Sequence, residues 1–318
     1  MSQSSIVGVD ISKSSFDAQW CDSQVHAQCF KNDESGFDEF VSRIPSNAHV
    51  VMEATGTYFV KLATFLYQAG RDVSVVNPAA PSYFARMKLM RTKTDSVDAG
   101  ILRQYGEGEE LSLWRPADDV FIELNQLDTH LVGLIGDLNR VTNRIEALSQ
   151  CVTINEFTMR DLTSQRSDLK VRIKQCEKEL DHRVRERFSD LFDLLTSIRG
   201  IGKKSAIMFI VLTEAFTLFP DAKKFASYLG LSSFIKDSGT SVRGSGSISK
   251  MGSSRMRQLL YMGALAAKRK NKACVAFADR LKANGKPPKV VRIAVANKLI
   301  RQAFAVIKNQ ESYSESYA

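Results

Sequence analysis

The sequence predicts an α/β domain, then a long coiled-coil helical hairpin, then a mainly helical C-terminal domain. Three observations point there. Short apolar runs ending in acids alternate with amphipathic segments over the first third, a heptad pattern fills the middle, and glycine-hinged basic helices fill the end. At 318 residues, 44% hydrophobic and 25% charged, the chain is long enough for about two buried cores. No apolar run approaches the roughly 18 residues that cross a bilayer. The opening MSQSSIVGVD lacks the basic and apolar segments of a secretory signal. Cys21, Cys29, Cys151, Cys176 and Cys274 are scattered, odd in number and without a CxxC pair. That predicts reduced thiols in a cytoplasmic protein and argues against a zinc site or a disulfide framework.

In order, Ile6-Val7-Gly8-Val9-Asp10 is a strand ending in an acid. Phe16–Trp20 and Val25–Phe30 alternate like hairpin partners. A helix follows over Glu34–Ile44, then a buried strand over His49–Glu53. Another helix runs from Tyr58 to Ala69 and stops at Gly70, and Asp72–Val76 is a strand turning at Asn77-Pro78. The order β-β-β-α-β-α-β, continuing into helices, is that of an RNase H-like sheet and excludes a purely antiparallel sandwich.

In the middle, Leu124, Leu131, Leu138 and Ile145 recur every seven residues, as do Leu127, Leu134, Val141 and Leu148. This a/d pattern predicts a coiled coil. Leu162, Leu169, Ile173, Cys176, Leu180 and Val184 form a second apolar stripe. It either folds back on the first or pairs between subunits.

The last third opens on RGIGKKSA at Arg199–Ala206. Gly200 and Gly202 around Ile201, with helical patterns on both sides, suggest a helix-hairpin-helix that offers backbone N–H groups, with Lys203 beside them, to a phosphate. An ordinary glycine turn between helices reads the same way. A Gly/Ser-rich loop covers Ser238–Gly252, basic helices follow, and the polar tail Gln310–Ala318 is predicted to fray. Charge is uneven: from Lys236 to Lys308, 17 Lys and Arg face two acids, so this stretch carries +15 of a net +9 and the remainder −6. Such a basic third suits a polyanion, although a solvated basic face has the same composition. No long amphipathic helix with an aromatic face accompanies it, which argues against a membrane surface.

The acids carry the chemistry. Asp10 and Glu53 each end an apolar strand, and Asp95 and Asp98 are spaced to share one face of a helix. If the strands of Asp10 and Glu53 are neighbours, the two project side by side and that helix covers them. Four such carboxylates need a cation. Hard oxygen ligands suit Mg²⁺ or Mn²⁺, and two ions about 4 Å apart clamp both oxygens of an in-line phosphoryl displacement. Singly, Asp95 also reads as an N-cap, Asp98 as a first-turn acid and Asp10 as a turn residue. Glu53, set among apolar strand residues, needs a partner in any case.

GVDISK (Gly8–Lys13), MEATGTY (Met52–Tyr58), NPA (Asn77–Ala79) and KTDSVDA (Lys93–Ala99) resemble the DEDD transposase family. That family contains the Piv invertase and insertion-sequence recombinases guided by a bridge RNA. RGIGKKSA, SGTSVRG (Ser238–Gly244), SKMGSSRMRQLLYM (Ser249–Met262) and ANGK (Ala283–Lys286) resemble its second domain. The resemblance implies a RuvC-like metal-binding domain over 1–116, a coiled-coil region over 117–188 and a basic transposase domain over 189–318. It implies that Asp10, Glu53, Asp95 and Asp98 bind the metal and that Ser238 is the nucleophile joined covalently to DNA. This chain has Ser238-Gly239-Thr240-Ser241 where some relatives have Ser-Gly-Ser-Ser, so Ser241 is a rival. From composition alone Ser238 is one of many loop serines.

A serine hydroxyl needs activation, which the acidic domain would supply through its metal, in the same chain or across a subunit interface. Arg243, Lys250, Arg255 and Arg257 are phosphate-contact candidates around the serine loop. The expected partners are donor and target double-stranded DNA, a structured guide RNA and further copies of the chain as a dimer or tetramer. Competing readings are a Piv-like invertase without RNA, a hydrolytic junction nuclease using water, and a non-enzymatic binder with a relic acidic site.

Overall fold

The computed structural model describes residues 5–21, 27–89, 95–234, 237–238, 242–243 and 247–315, with backbone alone at 95–96, 233–234, 237–238 and 242–243. They form two compact units, 1–117 and 118–318.

The first unit runs β1 (Ser5–Ile11), β2 (Ser15–Gln19), β3 (Gln28–Lys31), α1 (Glu34–Arg43), β4 (Ala48–Glu53), α2 (Phe59–Gln68), β5 (Asp72–Val76), α3 (Ala79–Met87) and α4 (Asp95–Gly108). Its sheet has the order β3-β2-β1-β4-β5. The first three strands are joined antiparallel, and β1–β4 and β4–β5 are parallel. Side chains alternate across the sheet. Val7, Val9 and Ile11 of β1 therefore join Phe16, Val50 and Met52 in one core, closed by Phe37 and Phe40 of α1 and Leu62 and Leu66 of α2. On the opposite face Val51 and Val76 pack with Leu102 of α4. α1 begins at Asp33, whose carboxylate accepts from the Gly36 N–H at 3.0 Å. α3 stands where the sequence predicts only a turn: Pro78 is its N-cap, and just before it Asn77 Oδ1 accepts from the Ala79 N–H at 2.9 Å.

The second unit begins with α5 (Asp119–Ser149) and α6 (Glu156–Thr196). They lie antiparallel: Arg183 reaches Glu123 at 2.6 Å, and Cys176 Sγ donates to the Leu127 carbonyl at 3.6 Å. The buried seam takes Leu124, Leu131, Leu134 and Val141 from one helix and Leu162, Leu169, Leu180 and Val184 from the other, while Leu127, Leu138, Ile145, Leu148 and Ile173 pack against it partly buried. At Phe188 the backbone leaves helical geometry, and that ring stacks on Phe121 at 5.3 Å. There follow α7 (Lys203–Leu212), α8 (Ala222–Tyr228), four two-residue strands β6 (Ser233–Phe234), β7 (Asp237–Ser238), β8 (Val242–Arg243) and β9 (Ser247–Ile248), and α9 (Ser254–Lys270), α10 (Lys272–Ala283) and α11 (Pro288–Asn309). One core runs unbroken from the hairpin through α7, α9 and α11. A part-buried ion pair from Asp128 of α5 to Arg255 of α9 crosses the same junction.

The tail is pinned rather than frayed as far as Glu315. The Tyr313 N–H donates to Ser197 Oγ at 2.8 Å, its hydroxyl meets Asn271 Oδ1 at 2.9 Å, and Glu315 pairs with Lys272 at 2.5 Å. Composition reads these residues as polar, but their polar atoms find fixed partners on α10 and at the end of α6. Among the described residues no helix is long and apolar enough to cross a membrane.

Candidate functional site

Local geometry brings the strand-end acids together. Val9 of β1 stands beside Met52 of β4, so one step further along this parallel register puts Asp10 beside Glu53. The alternation that sends Val9 and Met52 into the core sends both acids to the other face. Both are half-buried. Thr55 Oγ1 donates to Glu53 Oε1 at 2.8 Å and orients that carboxylate.

α4 lies on the same face. A Cβ on Gly106 would touch Val51 and Ile6 at 2.8 and 2.9 Å, and one on Gly8 would lie 2.0 Å from the Ala99 carbonyl oxygen and 2.4 Å from the Arg103 nitrogen. The helix therefore runs back along β1, its C-terminal half over Ile6 and its first half over Gly8. Its opening turn, bearing Asp95 and Asp98, points toward the Asp10 end. Asp98 is half-buried, and of Asp95 only the backbone is described. Among the described side chains no three His, Cys, Asp or Glu groups converge as a metal cage. What the fold supplies is a shared face and a glycine that lets the helix close on it.

Sequence reasoning passed over Asp17. In the β1–β2 ladder it stands directly opposite Asp10, so it faces the same side as Asp10 and Glu53. The signal was available in the alternation of Phe16 and Ala18, both buried, around a half-buried Asp17.

The remaining candidates lie in the second unit. Gly200 has φ +117°, and a Cβ there would meet Ala267 at 2.7 Å. It thus serves both a left-handed turn and the close packing of α9. Gly202 precedes α7 in extended geometry, with nothing within 4 Å of where its Cβ would be. α7 has no side-chain cap, and Lys203 is exposed at its first turn. Ser238 pairs with Val242 and Asp237 with Arg243 in the β7–β8 ladder, inside what reads as a loop. Ser238 is thus the last paired residue before 239–241, and Ser241 lies outside the described residues.

Lys250 is exposed. Arg255 and Arg257, in contrast, are engaged within the protein. Arg255 pairs with Asp128, and burial lowers its pKa from the ordinary guanidinium value. Arg257 donates to the carbonyls of Leu229, Met251 and Gly252 at 2.8, 3.0 and 3.0 Å. All three bonds come from one nitrogen, Nη1, at the end of the long arginine side chain, and the shorter lysine arm does not reach as far. Arg257→Lys is therefore expected to cost about 1–3 kcal/mol of stability, read by denaturant unfolding, with the salt dependence of DNA binding unchanged. A salt slope reduced by about one with stability intact would make Arg257 a phosphate ligand instead.

Known proteins fall into line with this architecture. The DEDD transposase model of the IS110 group, described as a transposase, matches residues 7–152, and that of the transposase IS116/IS110/IS902 family matches 192–278. The pilin gene-inverting protein of Moraxella bovis is 33% identical, with 97% of each chain covered, and that of Moraxella lacunata is 32% identical over the same shares. A probable family 20 transposase of Pseudomonas aeruginosa is 24% identical over 96% of this chain and 98% of its own. Likeness of this extent, over both units, means that the chain belongs to the IS110 family of transposases and DNA invertases and is a DNA recombinase.

Proposed function

We propose that the protein cuts and rejoins DNA through a divalent metal held by Asp10, Glu53, Asp95 and Asp98 and a covalent intermediate on Ser238. The observation that carries this reading is the β1–β4 register, which sets Asp10 beside Glu53 on the face that α4 covers. The strand order β3-β2-β1-β4-β5, with acids at the ends of adjacent strands, supports an RNase H-like assignment. The donor set fits Mg²⁺, or Mn²⁺, because every member is a hard carboxylate oxygen. Such an ion, when bound, stabilises charge on the phosphoryl oxygens and on the leaving oxygen.

The remaining work falls to side chains of the second unit. Ser238 Oγ attacks phosphorus: the Oγ–P bond forms, the P–O bond to the departing strand breaks, and the hydroxyl proton leaves to water. Attack by the hydroxyl of another strand end reverses the sequence and frees the serine. One phosphoester replaces another at each step, so no nucleotide hydrolysis is needed. Ser238 is the preferred nucleophile because it ends a paired strand, which limits its backbone freedom. The uncapped start of α7 after Gly202, with Lys203, would bind a backbone phosphate in helix-hairpin-helix fashion, and Arg243 and Lys250 would add charge near the serine.

An element-encoded structured RNA would select the DNA partners, and a dimer or tetramer would hold two duplexes at once. The likeness to pilin gene-inverting proteins over 97% of the chain favours a second reading, inversion without a guide RNA. Sequencing the RNA that copurifies separates them, since a guided enzyme retains one discrete species.

Ser238→Ala tests the chemistry. On a denaturing gel with element-junction DNA and Mg²⁺, the wild type is expected to give a protein–DNA adduct and the variant none. Free cleaved ends in both proteins, with no adduct in either, would mean a hydrolytic nuclease and overturn the serine mechanism.

A further inference from the structure

A cavity of about 860 Å³ opens in the second unit between α8, α10 and α11. Four cations line it: Lys223, Arg280, Lys298 and Arg301, against one acid, Glu311. Among the described residues none of the four is ion-paired with an acid. Two of them share a ring. The Arg280 guanidinium lies 5.3 Å and the Lys298 ammonium 5.4 Å from the centroid of Phe277, which is itself half-buried in the cavity wall. Two cations over one aromatic ring are held there by its quadrupole, yet they repel one another. An anion bound between them relieves that repulsion.

The opposite wall is built. Tyr313, fixed through its hydroxyl to Asn271 and within 3.2 Å of Gln302 Nε2, closes one side. Leu231 and Ser232 close another, and Asn297 Nδ2 donates to the Leu231 carbonyl at 3.4 Å. The next residue, Ser233, opens β6, the first strand of the segment that carries Ser238. The cavity therefore sits at the root of that segment.

We infer that this cavity holds an unpaired nucleotide, its base stacked in the pocket of Phe277 and its phosphate among Lys223, Arg280, Lys298 and Arg301. The inference rests on the nucleic-acid-processing reading above and adds a site to it. An aromatic face with surrounding cations is what single strands need, because a base inside a duplex has no free face to offer. The volume is in the range of pockets that enclose most of a small ligand. DNA and RNA share this chemistry, and the test distinguishes them.

The experiment uses the full chain with three labelled probes: an oligothymidylate, an oligouridylate of equal length, and a duplex. Phe277→Leu keeps apolar volume in the wall and removes the ring, and thermal unfolding verifies that it folds. A second variant, R280Q combined with K298Q, keeps the ring and removes the paired cations. Both are expected to bind the single strands about tenfold more weakly, with duplex binding within about twofold of wild type. A larger loss on oligothymidylate identifies DNA as the source and a larger loss on oligouridylate identifies RNA. Equal losses mean that the pocket ignores the 2′-hydroxyl. Single-strand affinity unchanged in both variants, or equal loss on all three probes, overturns the inference and leaves the recombinase reading standing. A wild type that binds none of the probes overturns both.

Discussion

Asp10→Asn is expected to lower strand cleavage by about a thousandfold while raising the melting temperature of the protein. The two effects have one origin. Asp10 lies directly across the β1–β2 ladder from Asp17 and beside Glu53 on the same face. Like charges opposite one another in an antiparallel pair are destabilising, by about 0.2–1 kcal/mol. The amide keeps the shape of the side chain and removes one charge, so the fold gains what the site loses. That opposition of stability and activity is common where acids are gathered for a cation. If the acids hold Mg²⁺ as proposed, the ion should raise the melting temperature of the wild type more than that of the variant, because a ligand of the folded state alone stabilises it. Single-turnover cleavage and calorimetry with and without Mg²⁺ measure both sides. An Asp10→Asn protein that cuts at the wild-type rate would remove the acidic face from the mechanism. Asp17→Asn in parallel shows whether the fifth acid acts through charge alone: a similar gain in stability with cleavage largely retained would mean that it does.

Gly8→Ala should do the reverse for stability and the same for activity. The added Cβ would sit 2.0 Å from the Ala99 carbonyl oxygen and 2.4 Å from the Arg103 nitrogen. Both obstacles are backbone, so no rotamer change relieves them and α4 must move as a body. Overpacking of this kind costs about 1–3 kcal/mol and sometimes more, a large share of a domain's net stability. Because α4 carries Asp95 and Asp98, its displacement also shifts them relative to β1 and β4, which end in Asp10 and Glu53. The expected result is a clear fall in melting temperature, faster hydrogen exchange along residues 95–108, and cleavage reduced in step. Wild-type stability in Gly8→Ala would mean that the helix does not rest on β1 as described.

Much of this was legible in one dimension because its signals are local. Alternation marked β1, β2 and β4, the seven-residue recurrence marked α5, and each of Asp10 and Glu53 announced itself by ending an apolar run. Local signals also failed in recognisable ways. Asn77-Pro78 reads as a turn, yet Pro78 leads directly into a helix over Ala79–Met87, with Asn77 Oδ1 accepting from the Ala79 N–H. The Gly/Ser-rich stretch Ser238–Gly252 reads as loop, yet its scattered Val242 and Ile248 pair in short ladders.

The sequence by itself determined the type and order of most elements and the placing of two acids at strand ends. These depend on periods of two, 3.6 and seven residues that any segment carries alone. Only the tertiary structure decided which strands are neighbours, and hence that Asp10 adjoins Glu53 and faces Asp17. It also turned Arg255 and Arg257 inward, to Asp128 and to three carbonyl groups, and it pinned the polar tail through Tyr313. A charged or polar residue has no periodic signature for its partner. Whether it meets water, a phosphate or a carbonyl depends on which distant segment packs against it, and that is settled by the burial of the apolar faces around it.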